Sequence, residues 1–182
     1  MEVELSKVLP ANAIVTPIEP ANPDHKPRNW DGFTNHMSYL AVARRLDLSS
    51  VRSYVFVRHP YEVMLSHFFL VLTYLEQRSD WQNEVDNYLS DKLAVPHLGS
   101  GRGLYTMDDE VCVTEVLFYE RGIEAEINRI LPLSGIGTIK IATFEKAFRP
   151  RQLMHTDVFE ERHLELIRHE WAWEFSKFGY RK

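Results

Sequence analysis

Residues 51–75 constrain the fold more than any other stretch, and their centre reads Ser53-Tyr-Val-Phe-Val-Arg-His-Pro-Tyr-Glu-Val-Met-Leu-Ser-His67. Tyr54–Val57 is a short run of β-formers of the kind that fills a strand buried on both faces. Pro60 sets φ near the helical value and lacks only a donor that a first turn leaves unused, so the spacing predicts a helix with Pro60 at its first position. Glu62 then falls in the first turn, where a carboxylate suits the positive end of the helix dipole. Tyr61, Leu65, Phe68 and Leu72 recur at helical intervals, with Met64, Val71 and Leu75 beside them, and form one broad apolar stripe. Ser66 lies off the centre of that stripe, on the side of Glu62 and Thr73.

A strand, a corner and a helix in this order create a place for an anion. Arg58 leaves the carboxyl end of the strand, where open α/β sheets bind ligands. A helix opening at Pro60 directs free N–H groups and partial positive charge to the same place. Arg58 adds a planar fork of donors and Ser66 a hydroxyl, a set suited to phosphate. The same residues also fit a plainer arrangement, in which the arginine pairs with a carboxylate and the serine faces solvent.

Composition excludes several classes. The 182 residues suffice for one domain with a real core; 45% are hydrophobic and 26% charged, as in an ordinary globular protein. The formal net charge is −5 and no long Lys/Arg block occurs, so a nucleic-acid backbone is not an expected partner. Cys112 is the only cysteine, which rules out an intrachain disulfide framework and a cysteine-rich zinc site. The eight histidines form no His-Glu-x-x-His motif, and no metal site is expected. No apolar run has membrane-spanning length, and the acidic N-terminus lacks a signal-peptide pattern, so a cytoplasmic location is the expectation.

Along the rest of the chain, Val3, Leu5, Val8 and Leu9 predict a helix closed by Pro10. Pro17, Pro20, Pro23 and Pro27 then favour an extended, turn-rich path. Ser38 is a plausible cap for a helix whose Tyr39, Leu40, Ala43 and Leu46 share a face. Residues 78–97 are partly helical, with Trp81, Val85, Tyr88 and Leu89 in a broken amphipathic pattern. Leu98-Gly-Ser-Gly-Arg-Gly-Leu104 lacks the Lys-Ser/Thr pair of a Walker-type loop and reads as a mobile surface loop, in which Arg102 could meet an anionic substrate. A second buried strand is expected at Val116–Tyr119, broken by Gly122 and followed by a helix carrying Ile123, Ile127, Ile130 and Leu131 up to Pro132. Ile139-Lys-Ile-Ala-Thr-Phe144 reads as a further strand at a sheet edge. Thr156–Lys182 reads as one long helix, stopped by Gly179.

The segment Val57-Arg-His-Pro-Tyr-Glu-Val-Met-Leu-Ser66 resembles the 3′-phosphate-binding segment of sulfotransferases that use 3′-phosphoadenosine 5′-phosphosulfate (PAPS). Ala13-Ile-Val-Thr-Pro-Ile18 is similar to a stretch that follows the first helix in bacterial members. Gly32-Phe-Thr-Asn-His-Met-Ser-Tyr-Leu40 resembles a segment of polysaccharide 2-O-sulfotransferases. Val116-Leu-Phe-Tyr-Glu120 and Trp171-Ala-Trp-Glu-Phe-Ser-Lys-Phe-Gly-Tyr180 resemble a later strand and the carboxyl end of the family, although members often have Arg where Phe118 stands and usually Asp where Glu174 stands. The resemblance spans residues 8–180. It implies that Arg58 and Ser66 hold the 3′-phosphate of PAPS. It also implies that His36 is the general base for an acceptor hydroxyl, an assignment compatible with imidazole chemistry near neutral pH. The other reading of His36 is a loop histidine capping a backbone carbonyl.

Members of the family open with a strand and a Pro-Lys-Thr-Gly-Thr-Ser-type loop around the 5′-phosphosulfate, and nothing here matches it. The expectation is therefore one sulfotransferase-like domain over 1–182, incomplete at its N-terminus. Its fold would be α/β, a parallel sheet flanked by helices, similar to P-loop nucleotide-binding domains but missing the first strand and loop. The implied activity is transfer of a sulfuryl group from PAPS to a hydroxyl, of a carbohydrate in the leading reading. The alternative is an inactive truncated relative that binds a nucleotide or partner. A P-loop kinase relative is a third reading, which gains nothing from the Arg58–Ser66 spacing.

Overall fold

A computed structural model describes residues 1–18, 21–74, 81–93, 101–142 and 153–181. In chain order the helices and strands are α1 (Glu2–Val8), α2 (Tyr39–Ala43), β1 (Tyr54–Val57), α3 (Pro60–Tyr74), α4 (Val85–Leu93), β2 (Thr106–Met107), β3 (Glu110–Val111), β4 (Glu115–Phe118), α5 (Ile123–Ile130), α6 (His155–Val158), α7 (Glu161–Glu170) and α8 (Ala172–Phe178). They divide into two compact units. The first holds Met1–Val57 with Arg102–Phe144, the second Arg58–Gly101 with Glu145–Lys182.

The first unit carries a small parallel sheet in which β1 pairs with β4, Tyr54 opposite Glu115 and Val57 opposite Phe118. Parallel neighbours need a long crossover, here residues 58–114. Only Val57 of β1 is fully buried; Tyr54, Val55 and Phe56 remain half-buried, so the expectation of a strand covered on both faces holds at one residue. Among the described residues no third strand pairs with this sheet, and β2 and β3 form a separate antiparallel hairpin. Asp108 and Asp109 turn that hairpin with φ of 53° and 60°, the left-handed values a tight two-residue turn demands. The architecture is thus mixed helix and strand around a two-stranded parallel sheet. Its apolar cluster joins Ile127 and Leu131 to Ile139 and Ile141, with Leu5 of α1 and Phe56 of β1 packed against them.

Several backbone groups outside the regular elements of this unit are met by side chains. Arg28 closes α1: its guanidinium donates to the carbonyls of Ser6 (2.8 Å), Leu9 (2.7 Å) and Pro10 (3.2 Å), and also to Lys26 (2.9 Å). A lone bridge between Val15 and Arg28 completes the proline-rich path. The expected strand at 139–144 is corrected over its described part, since Ile139 and Ile141 are buried but pair with no strand. Asn128 stands in for the partner. Its Oδ1 accepts from the Ile139 N–H at 2.7 Å and its Nδ2 donates to the Ile139 carbonyl at 2.8 Å, while Glu124 accepts from the Ile141 N–H at 2.7 Å. Once side chains on α5 have met these groups, the segment needs no sheet. Residues 143 and 144 of that stretch lie outside the described residues.

Ser38 caps α2 as expected, its Oγ accepting from the Ala41 N–H at 3.2 Å. The helix has five residues and none is buried, so its predicted apolar face is not a core face. The second strand begins one residue earlier than expected, at Glu115, and Gly122 at φ 90° precedes α5.

The second unit is organised around α3. Leu65 and Phe68 are fully buried, and Tyr61, Met64 and Leu72 nearly so, which matches the stripe read from spacing. They pack with Val85, Tyr88 and Leu89 of α4, with Phe159, with Leu164 and Ile167 of α7, and with Trp171 and Phe175. The single C-terminal helix is corrected to three. Glu160 interrupts the first junction: the His163 ring accepts from the Glu160 N–H at 3.1 Å, which caps α7 and starts a new helix. Trp171, at φ −104° and ψ 21°, leaves helical geometry and separates α7 from α8. Gly179 ends α8 in the left-handed conformation, as predicted.

Candidate functional site

The start of α3 is built from local rules. Pro60 occupies the first helical position, and His59 is the cap before it. The His59 carbonyl accepts from the N–H groups of Glu62 (2.9 Å) and Val63 (3.0 Å). Its ring Nδ1 accepts from the Tyr61 N–H at 3.3 Å. Nε2 faces the carbonyl of Arg181 at 3.1 Å and therefore donates to it, so the arrangement selects the Nε2–H tautomer. The free N–H groups expected at this helix opening are thus not free. Proline has none and His59 takes the next three. A histidine at the cap supplies two acceptors from one residue, which hydrophobic spacing does not reveal.

Arg58 carries the remaining positive charge. Its Nη2 lies 3.3 Å from Glu62 Oε2, and the other carboxylate oxygen lies 3.2 Å from His155 Nδ1. All three side chains are about a quarter exposed, at 23%, 25% and 23% for Arg58, Glu62 and His155. Ser66 follows Glu62 by four residues on α3, so Glu62 and Ser66 share one helical row, with Arg58 reaching that row from the corner. Arg58, in the corner before α3, thus pairs with Glu62, and Ser66 stands one turn further along that helix. Among the described residues the Ser66 side chain makes no hydrogen bond.

Rings enclose one side of this corner. His59 and His155 stack at 6.2 Å with planes 9° apart, Tyr61 lies 4.9 Å from His155, and Phe175 and Tyr180 lie 5.4 and 4.9 Å from His59. Burial pushes the Tyr61 hydroxyl above its ordinary value, so it remains a neutral donor. The plainer arrangement read from the sequence, in which Arg58 pairs with a carboxylate, is present here with Glu62 as the partner. The parts played by His155, Tyr180 and Arg181 had no local signal, since His155 is 93 residues from Glu62.

No family model, curated protein or solved structure matches the chain.

His36 belongs to the first unit, Arg58 and Ser66 to the second. His36 is exposed and has φ of 58°, a left-handed conformation uncommon outside glycine. Its backbone N–H donates to Asn35 Oδ1 at 3.1 Å, and its ring makes no hydrogen bond among the described residues. It caps no carbonyl there, and no neighbouring side chain fixes its orientation. Arg102 pairs with Asp109 at 3.4 Å; residues 98–100 of the glycine-rich stretch lie outside the described residues. Among the described residues no group of three His, Cys, Asp or Glu side chains could hold a metal ion, and no helix is long and apolar enough to cross a membrane.

A second ionic cluster joins α4 to α7. His163 is buried; its Nε2 donates to Asp86 at 2.7 Å while its Nδ1 is occupied by Glu160, so neither ring nitrogen is left for acid–base work. Arg162 bridges Asp86 (3.0 Å) and Glu160 (2.8 Å). The hydrogen bond from His163, and then that from Arg162, hold the Asp86 carboxyl below its ordinary value.

Proposed function

We propose that the corner at the start of α3 binds the 3′-phosphate of PAPS and that the chain is a sulfotransferase acting on a hydroxyl, that of a carbohydrate in the leading reading. The observation that carries the proposal is the part-exposed Arg58–Glu62 pair at the start of α3, with Ser66 one helical turn beyond Glu62 on the same helix. The P-loop-like α/β architecture belongs to this proposal, with the two-stranded parallel sheet as its support.

Magnitudes favour an exchange of partners. A part-exposed ion pair such as Arg58–Glu62 stabilises by about 0–1 kcal/mol, whereas a hydrogen bond to a charged group contributes about 1.5–3 kcal/mol. A phosphate with two charges can therefore draw Arg58 from Glu62, and Glu62 keeps His155 as its partner. Ser66 adds a neutral donor. Bound PAPS supplies an activated sulfuryl group. An acceptor hydroxyl forms the new O–S bond as the bond from sulfur to the 5′-phosphate breaks, and His36 takes the hydroxyl proton. Adenosine 3′,5′-bisphosphate and a sulfate ester leave.

The second reading is a binding module without transfer. The ring of His36, with no orienting hydrogen bond, favours it, because a general base is normally held in place. Labelled-sulfate transfer from PAPS to a panel of glycans separates the two. Transfer lost on His36→Ala supports the enzyme, and nucleotide binding with no transfer to any acceptor supports the module.

A further inference from the structure

We infer a small-molecule site in the first unit, distinct from the nucleotide corner and independent of the sulfotransferase reading: a cleft that takes an amphipathic monoanion of the medium-chain fatty-acid class. Strand periodicity creates its floor. Arg52, Tyr54 and Phe56 alternate to one side, as the period of two requires, and line a cleft of about 350 Å³ together with Leu5 of α1, Ile127 of α5 and Leu131. That volume is at the lower end of ligand-binding pockets, about 300–1,000 Å³.

Two observations define the ligand. The lining is apolar, and Leu5, Tyr54 and Phe56 remain half-buried where they bound the cleft. An apolar body entering it would complete the burial of side chains that the short sheet and α5 leave partly wet. The single charged side chain in the lining is Arg52, which is exposed and makes no ion pair or hydrogen bond among the described residues. Arg28, Arg58, Arg102 and Arg162, by contrast, are engaged by carboxylates or carbonyls. A guanidinium at the edge of an apolar cleft matches a ligand with one anionic head and an apolar tail; a polyanion would leave most of its charge unmatched, and a cation would be repelled.

Decanoate is the probe, with decanol and decyltrimethylammonium as controls, titrated into the full chain by calorimetry and by two-dimensional NMR. The expected result is decanoate binding at least about tenfold tighter than decanol, the order of one charge-assisted contact, with the alkylammonium weaker still. Shifts should centre on residues 52–56 and 127–131. Arg52→Gln should remove the preference for decanoate over decanol and leave decanol binding unchanged. Ile136→Trp, which fills the cleft from its half-buried wall, should weaken both. Equal affinities for the three probes, or binding undiminished in Ile136→Trp, would overturn the site. Self-association that excludes decanoate would assign the cleft to a second copy of the chain and equally overturn it. Retention of the wild-type NMR pattern in both variants separates loss of a ligand from loss of the fold.

Discussion

The two units solve the same problem by different means. Around α3 the second unit closes a contiguous cluster from Tyr61 to Phe175, with Leu65, Phe68 and Ile167 entirely buried. The first unit has a smaller cluster around Ile127 and Ile139 and fastens irregular backbone with side chains, Arg28 on four carbonyls and Asn128 on Ile139. Apolar burial is non-directional and scales with area. Side-chain hydrogen bonds contribute little net energy each, but leaving a buried backbone group unmet costs more than the bond gained. The second unit should thus tolerate volume-conserving changes and suffer from cavities. The first should tolerate cavities better and suffer from loss of single polar groups.

The largest effect that can break this contrast is Phe68→Ala. Removing a fully buried ring at the centre of α3 should destabilise the second unit by about 3–5 kcal/mol, read as loss of amide protection over residues 61–72 and 164–175. Arg28→Ala comes next. It strips the donors from the end of α1 and should cost about 2–3 kcal/mol, the order of a charged hydrogen bond with its carbonyls left unmet. Protection should fall for residues 5–9 and 26–28. Protection changes of equal size from Arg28→Ala and the conservative Arg28→Lys would contradict the role of the forked donor. Asn128→Ala removes both bonds to Ile139 and should cost about 1–3 kcal/mol if those groups stay buried, with exchange at Ile139 and Ile141 as the readout. Asn128→Asp keeps the acceptor and loses the donor, so an intermediate value is expected.

A smaller effect concerns acid. The Asp86 carboxyl lies below the ordinary value of 3.8 in the folded chain. A carboxylate lowered on folding contributes stability that is present above its unfolded value and lost as pH falls through the folded one. The stability difference between wild type and Asp86→Asn should therefore hold from pH 5 down to about 4 and shrink below 3.8. A difference that instead grows on acidification would contradict the pairing with His163 and Arg162.

What the sequence disclosed and what it hid follow the same division. Tyr54–Val57, Pro60 at the helix start, Ser38 as a cap and Gly179 as a stop were readable because each acts within a few residues. The stripe on α3 was readable because burial there follows helical period. Ile139 reads as part of a strand because an apolar run looks the same whether a strand or an asparagine side chain satisfies its backbone. The C-terminal segment reads as one helix because apolar spacing carries across Glu160 and Trp171, where a His163 ring and a local change in ψ decide otherwise. At the candidate site Arg58, Glu62 and Ser66 are visible because they lie within nine residues of one strand–helix corner. The His59 cap that consumes the first-turn donors, and the His155 contact that shares Glu62, depend on tertiary structure and on ring geometry.

The central claim is that Arg58 exchanges Glu62 for a phosphate. The direct measurement is calorimetric titration of adenosine 3′,5′-bisphosphate into wild type, Arg58→Ala and Glu62→Gln at one ionic strength. Arg58→Ala should bind at least about tenfold more weakly, the loss expected for a bidentate charge-assisted contact. Glu62→Gln should bind several-fold more tightly, because the competing carboxylate and its repulsion of the phosphate are both gone. Opposite shifts in the two variants are what the exchange requires. Equal affinity in all three, or weakening by both substitutions alike, would reduce Arg58 and Glu62 to a structural ion pair and contradict the claim.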